Sequence, residues 1–444
     1  YIDMKSVKER RMRYMYENLL ERFIAYAKVD TRSDDSSYTV PSTHNQVTFA
    51  LELAKELIRI GLEEVEYNET NGFLTATLPS NTAEAVPVIG FIAHLDTADF
   101  NSVNIHPQVH CAYDGGDIVL NEAEKIILSP KEFPRLRNYI GETVITTDGT
   151  TLLGADDKAG IASIVTACEQ FIAHPERKHG KIRLAFGPDE ELGARGAKLF
   201  DVDRFAADFA YTIDGGPIGN LTYDNFNAAQ AELTIRGTSV HPGSAKDTMV
   251  NALLVASQFA TALPQEETPE RTSGYEGYYL LTSQSGTIDE VKQTYYIRDH
   301  DRESFAARKR FFTEQVAAFN SQFVEPRISL TLFDQYYNMR DIIEQHPIVI
   351  DLAVQAYESC GITPVFKPMR GGTDGCIISH KGLPTPNLFS GTENGHGKYE
   401  FVTLETMAKS VDVIMAIVEQ SAVLSKTFQL EGIFSLTQAV KNRV

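Results

Sequence analysis

The segment Ile182-Arg183-Leu184-Ala185-Phe186-Gly187-Pro188-Asp189-Glu190-Glu191 limits what this chain can fold into more than any other. An apolar run meets Pro188, which cannot continue as an inner member of a hydrogen-bonded ladder. Three carboxylates follow at once. The pattern predicts a strand that stops and an acidic turn at its carboxyl end, where open α/β sheets place their sites. Taken alone, such a turn is an ordinary solvated one. Neighbouring residues in extended backbone face opposite ways, so one glutamate can face a metal while the next faces a water.

Four further segments repeat the design. Ile89-Gly90-Phe91-Ile92-Ala93 ends in His94-Leu95-Asp96-Thr97, and Leu152-Leu153-Gly154-Ala155 in Asp156-Asp157-Lys158. Tyr211-Thr212-Ile213 ends in Asp214-Gly215-Gly216, and Asn387-Leu388-Phe389 leads through Gly391 to Asn394-Gly395-His396-Gly397. A lone His94 is an ordinary core histidine, and a lone Asp156 an ordinary helix cap. Five such ends on one sheet edge are a different matter. Two histidines with three or four carboxylates form a ligand set for two borderline divalent ions, zinc first. Paired ions ~3.5–4 Å apart need a bridging carboxylate and a bridging water; spacing leaves open which carboxylate bridges.

The rest of the chain fits such a sheet. A helix is expected over 43–60, with Leu53, Leu57 and Ile60 at helical spacing, and strands over 72–78, 86–92, 182–186 and 209–213. A helix is expected from Asp157 to about Ile172. Near residue 226 the style changes: Ala231, Leu233 and Ile235 alternate with polar residues, strand-like stretches follow at 276–283 and 293–298, and a helix over 301–323 carries Phe305, Phe312, Val316, Phe319 and Phe323. Ile328, Leu330 and Leu332 alternate again, and Met407, Val411, Ile414 and Val418 stripe a closing helix. The expected fold class is α/β, a mostly parallel helix-covered sheet with an inserted α+β domain. The expected catalytic domain is discontinuous, 1–226 plus 338–444, around an insert at 227–337.

At 444 residues two domains are natural. A net charge of −19 argues against nucleic acid or an anionic membrane as a partner, since both demand a basic face. No apolar run approaches a membrane span and no apolar leader opens the sequence. Cys111, Cys168, Cys360 and Cys376 are not at CxxC spacing and read as reduced thiols, so a cytoplasmic protein is expected.

From about residue 19 to about 425 the chain resembles the M20 family of dizinc peptidases, and within it the tripeptide aminopeptidases. The resemblance rests on His94-Leu95-Asp96-Thr97, Thr146-Thr147-Asp148-Gly149, Leu152 through Gly160, Pro188 through Glu191, Tyr211 through Gly216, His241-Pro242-Gly243, Arg370 through Gly375 and His396-Gly397-Lys398. It implies a zinc-peptidase-like catalytic domain and a lid or dimerisation insert, with two zinc ions per subunit, manganese or cobalt being alternatives. Asp156 would bridge both metals, His94 and Asp214 would complete one, and Glu191 and His396 the other. Glu190 would be the general base, and Asp96 would orient His94. His241 would stabilise the oxyanion, Arg298 and Arg370 would grip the peptide carboxylate, and Asn251 would be a further substrate contact. A cis peptide is implied between Asp156 and Asp157. The implied substrates are small peptides, mainly tripeptides, and a homodimer through the insert is implied as an assembly. Dipeptidase, carboxypeptidase and N-acyl amino acid deacylase are the alternative activities of the family, and a non-catalytic metal- or peptide-binding protein is the alternative of a different class. Gly395 and Tyr399 stand where the family pattern has an aromatic residue and a histidine.

Overall fold

The computed structural model describes residues 16–428; the carboxyl-terminal stretch after the closing helix, to which the sequence assigns no role, lies outside these. A seven-stranded sheet runs, edge to edge, through Glu63–Tyr67, Leu74–Leu78, Ile182–Gly187, Ile89–His94, Phe209–Thr212, Asn387–Leu388 and Leu221–Thr222. The four strands from Ile182–Gly187 to Asn387–Leu388 are mutually parallel. The pairings outside them are antiparallel. The strand expected over 86–92 begins only at Ile89, because Pro87 has no N–H to give a ladder.

Both faces of this sheet are covered, which is why its inner strands read as unbroken apolar runs. Ile92, Ala185 and Ala210 pack on one side with Phe73, Phe200, Phe205, Ile378 and Leu383. Their neighbours Phe91, Leu184 and Tyr211 are equally buried, and the helix Ala155–Ala173 lies against strand Ile89–His94, with Leu19–Ala27 and Leu404–Phe428 beside it. The helix His44–Ile60 stops at Gly61, whose φ of 102° is the left-handed end that glycine permits. A three-stranded sheet of Gln108–His110, Val144–Thr146 and Phe401–Thr403 and a hairpin of Ile118–Asn121 with Ile126–Leu128 complete this unit.

The chain divides into two compact units, 1–223 with 341–366 and 373–444, and 224–340 with 367–372. The second holds an antiparallel sheet in the order Tyr278–Gly286, Glu290–Asp299, Asn227–Arg236, Ile328–Tyr336. Strand Asn227–Arg236 alternates buried and less buried residues along most of its length. Its inward side chains meet Phe259 of helix Ala252–Ala262 and Phe305, Phe312 and Val316 of helix Arg302–Asn320. Burying each such aromatic ring stabilises by roughly 1.5–3 kcal/mol. Among the described residues no helix is long and apolar enough to cross a membrane, and all four cysteines are free thiols.

Candidate metal centre

The carboxyl ends of the parallel strands bring the candidate ligands together. His94 closes strand Ile89–His94 and Asp214 follows strand Phe209–Thr212. Asp156 opens the helix Ala155–Ala173, where it and Asp157 keep non-helical backbone, and the peptide between them is cis. Gly160 makes the approach possible: a Cβ there would lie 2.4 Å from the carbonyl oxygen of Ile213. The helix can therefore press against the residue just before Asp214.

Two groups of metal-ligating atoms result, His94–Asp156–Asp214 and Asp156–Glu191–His396, and Asp156 belongs to both. His94 Nε2 is 3.0 Å from Asp156 Oδ1 and 3.9 Å from Asp214 Oδ1. His396 Nε2 is 3.1 Å from Asp156 Oδ2 and 3.0 Å from Glu191 Oε1. The geometry suits cations. His94 Nδ1 lies 2.9 Å from the Asp96 carbonyl oxygen, to which it donates, so a neutral ring turns the Nε2 lone pair toward two carboxylates. That arrangement is repulsive unless positive charge sits between them. Glu191 Oε1 is buried without a hydrogen bond, although His396 Nε2 lies 3.0 Å away.

The same charges move the titrations of the metal-free chain. Burial opposes protonation of His94, but hydrogen bonds to Asp156 and Asp96 and the charge of Asp214 outweigh it and hold the imidazole well above its ordinary pKa. Asp156 and Glu191 raise His396 to about 11. Burial, then the neighbouring carboxylates, push Glu190 and Asp214 well above the usual carboxylate range. Burial takes Asp374 and Glu400 to about 7 each. The folded, metal-free protein thus keeps protons between about pH 4 and 7 that unfolded carboxyls have lost, and stability falls with rising pH wherever the folded state binds more protons. The raised histidines act in the same direction, since their stabilisation is whole below about pH 6.5 and is lost as pH rises through their folded values. The melting temperature of chelator-treated protein should therefore fall from pH 5 to pH 8, and saturating metal should flatten the decline. A melting temperature that climbs across that range would contradict this electrostatic picture.

The acidic turn differs from its expected extended form. Ala194 N–H donates to the Glu190 carbonyl and Arg195 N–H to that of Asp189, so the chain folds back at once. Asp189, at φ 55°, shapes the turn. Its carboxylate accepts from Ser42 N–H at 2.8 Å, Ser42 Oγ at 2.5 Å and Gln46 Nε2 at 2.7 Å. The Asp96 carboxylate accepts the N–H groups of Glu190 at 2.9 Å and Glu191 at 3.2 Å, and its Oδ1 is 3.4 Å from His94 Nδ1. The carboxylate thus fixes the glutamate pair, while the nearer oxygen to His94 is Asp96's own carbonyl. An opening of about 430 Å³ beside the ligands is lined by Asp156, Asp214, His396, Arg135 and Glu393.

His241, Asn251, Arg298 and Arg370 belong to the second unit. His241 is exposed, and its Nδ1 accepts the Gly243 N–H at 3.1 Å, which leaves Nε2–H as a donor in the neutral ring. Asn251 caps helix Ala252–Ala262 through Leu253 N–H. Arg298 is buried, donates to the carbonyls of Ala229 and Ile297, and lies over the rings of Tyr296 and Tyr336. Arg370 donates to the carbonyls of Gly274 and Glu276 and to Thr272 Oγ1, over Phe226 and Tyr278. These hydrogen bonds of the two guanidinium groups thus go to carbonyl and hydroxyl oxygens.

With that geometry in hand, comparison with known proteins is unambiguous as to family. The sequence pattern of Peptidase family M20/M25/M40 matches residues 152–420, and the chain belongs to that family. It is 57% identical to Peptidase T of Enterococcus faecalis over 409 residues, 92% of this chain and 100% of that protein. The fold is shared with the crystal structure of aminopeptidase PepT from Bacillus cereus, at a TM-score of 0.71 and 24% identity, covering 92% of this chain and 100% of that one. It is shared equally with a tripeptidase from Staphylococcus aureus, at a TM-score of 0.73 and 23% identity, with the same coverage.

Proposed function

We propose that this protein is a dizinc aminopeptidase that removes the N-terminal residue from tripeptides. The observation that carries the reading is the pair of ligand groups sharing Asp156. Identity to Peptidase T over almost the whole chain supports the activity. His94 and Asp214 would hold one zinc, Glu191 and His396 the other, with Asp156 between; manganese or cobalt suit the same donors. When bound, the ions supply an acidified, oriented water and polarise the scissile carbonyl. Glu190 takes the water's proton and passes it to the leaving amine. Asp96 fixes the turn that carries Glu190. His241 donates from Nε2–H to the oxyanion. Arg298 and Arg370 grip the peptide's terminal carboxylate, a task that suits the guanidinium fork, and Asn251 is a further substrate contact. Two copies pair through the second unit, whose outer strand Tyr278–Gly286 is mostly exposed. Four free thiols suit a cytoplasmic location.

Metal analysis of the purified protein beside assays on tripeptides, dipeptides and acyl amino acids tests the reading. Two ions per chain with preferential tripeptide cleavage is the expected outcome; a preference for dipeptides or acyl amino acids would move the protein to another activity of its family. The carboxylate clamp has its own test. Arg298→Gln or Arg370→Gln should raise KM for a free tripeptide roughly 10- to 100-fold, the scale of a lost charge-assisted hydrogen bond. The KM for the C-terminal amide should hardly move, and an equal rise for both substrates would argue for a purely structural arginine.

A further inference from the structure

Glu400 lies outside both ligand groups, yet its carboxylate touches the segment that carries the shared ligand. It is 1% exposed. Oε2 accepts the N–H groups of Leu153 and Gly154 at 2.8 Å each, and Oε1 accepts the N–H of Asp156 itself at 3.0 Å. A buried carboxylate is tolerated only when its lone pairs are met, and here three backbone donors of one short segment meet them. The other end of Glu400 is equally fixed. Its N–H donates to the Gly397 carbonyl, and the next residue, Phe401, exchanges both backbone hydrogen bonds with Glu393 while pairing with Thr146 in the small sheet. The loop closed by those bonds, Glu393 to Phe401, contains His396. One side chain therefore ties the segment bearing Asp156 to the loop bearing His396, and the two ligand atoms are 3.1 Å apart.

We propose that Glu400 is a positioning residue that holds Asp156 in register with His396 and so sets the affinity of the Asp156–Glu191–His396 metal group. This rests on the reading of those three residues as ligands of one ion. Groups behind metal ligands typically govern 10- to 100-fold in metal affinity. In Glu400→Gln the side-chain oxygen can serve Leu153 and Gly154 or Asp156, and an NH2 then faces the remaining N–H. The ligand's own anchor, or its neighbours', is lost with little change in volume.

The test titrates metal-free wild type and Glu400→Gln with zinc, by calorimetry and by competition with a chromophoric chelator, and follows tripeptide turnover across the titration. Two sites are expected in both proteins, with one weakened roughly 10- to 100-fold in the variant, and kcat returning toward wild type at saturating zinc. Wild-type affinity at both sites of the variant overturns the proposal, as does a kcat that saturating zinc does not restore. Should Glu400→Gln not fold, Glu400→Asp keeps the charge and shortens the reach, and unchanged affinity there overturns it equally. A wild-type protein that binds fewer than two ions would instead defeat the functional reading.

Discussion

Glu190→Gln is expected to lower kcat by on the order of 10²–10⁴-fold, the range a positioned general base supplies, while two metal ions stay bound. The separation of effects follows from the turn. Glu190 and Glu191 are consecutive, and both their N–H groups are held by the Asp96 carboxylate. Only Glu191 has an oxygen within a metal-ligating group. The amide side chain keeps the size of the glutamate and leaves both backbone anchors in place, so the ligand set does not move. What disappears is a buried carboxylate, which in the metal-free chain burial and then the charge of Asp214 hold above the usual carboxylate range. Metal analysis and steady-state kinetics on the same preparation decide the matter. A variant with near wild-type kcat would require a different base, and one that also loses a metal would mean Glu190 belongs to the ligand set.

What the sequence reveals about this protein depends on how local each signal is. His94, Glu191, Asp214 and His396 are legible because each closes or follows an apolar run that forms a parallel strand, and such strands bring their ends to one edge of a sheet. The apolar run before Asp156, by contrast, forms no strand and leads instead into the helix Ala155–Ala173. The structure places them within two shared groups. The Asp189 turn is only partly legible. Proline and acidic residues announce that the strand ends, but the shape of the turn comes from Ser42 and Gln46, about 150 residues earlier in the chain. Glu400 is not legible at all, since its three partners are backbone N–H groups 244 to 247 residues away and no residue type marks them. The strands Gln108–His110, Val144–Thr146 and Phe401–Thr403 are three residues each, too short for period-two alternation to register. Residues 367–372 group with the second unit through backbone pairing of Met369 with Asp224 and of Gly371 with Phe226, a long-range closure that composition does not disclose.

Asp156→Ala is expected to remove both metal ions at once, where Asp214→Ala and Glu191→Ala should each compromise chiefly one. Asp156 presents Oδ1 to His94 and Oδ2 to His396, 3.0 and 3.1 Å away. Asp214 and Glu191 each belong to a single group. Without Asp156 each group retains one histidine and one carboxylate, two donors where a zinc site takes at least three from the protein. Thermal melting reads this without any assay of turnover. A ligand that binds only the folded state stabilises it by about 2.7 kcal/mol at a hundredfold excess over its Kd. Two ions should therefore raise the wild-type melting temperature in two resolvable increments as zinc is added. Each single-group variant should keep one increment. Asp156→Ala should show neither, with turnover lost alongside. If one increment survives in Asp156→Ala, that ion does not depend on Asp156, and the carboxylate joining the two groups must be sought among Asp214, Glu191 and Asp157, whose Oδ1 is buried without a hydrogen bond.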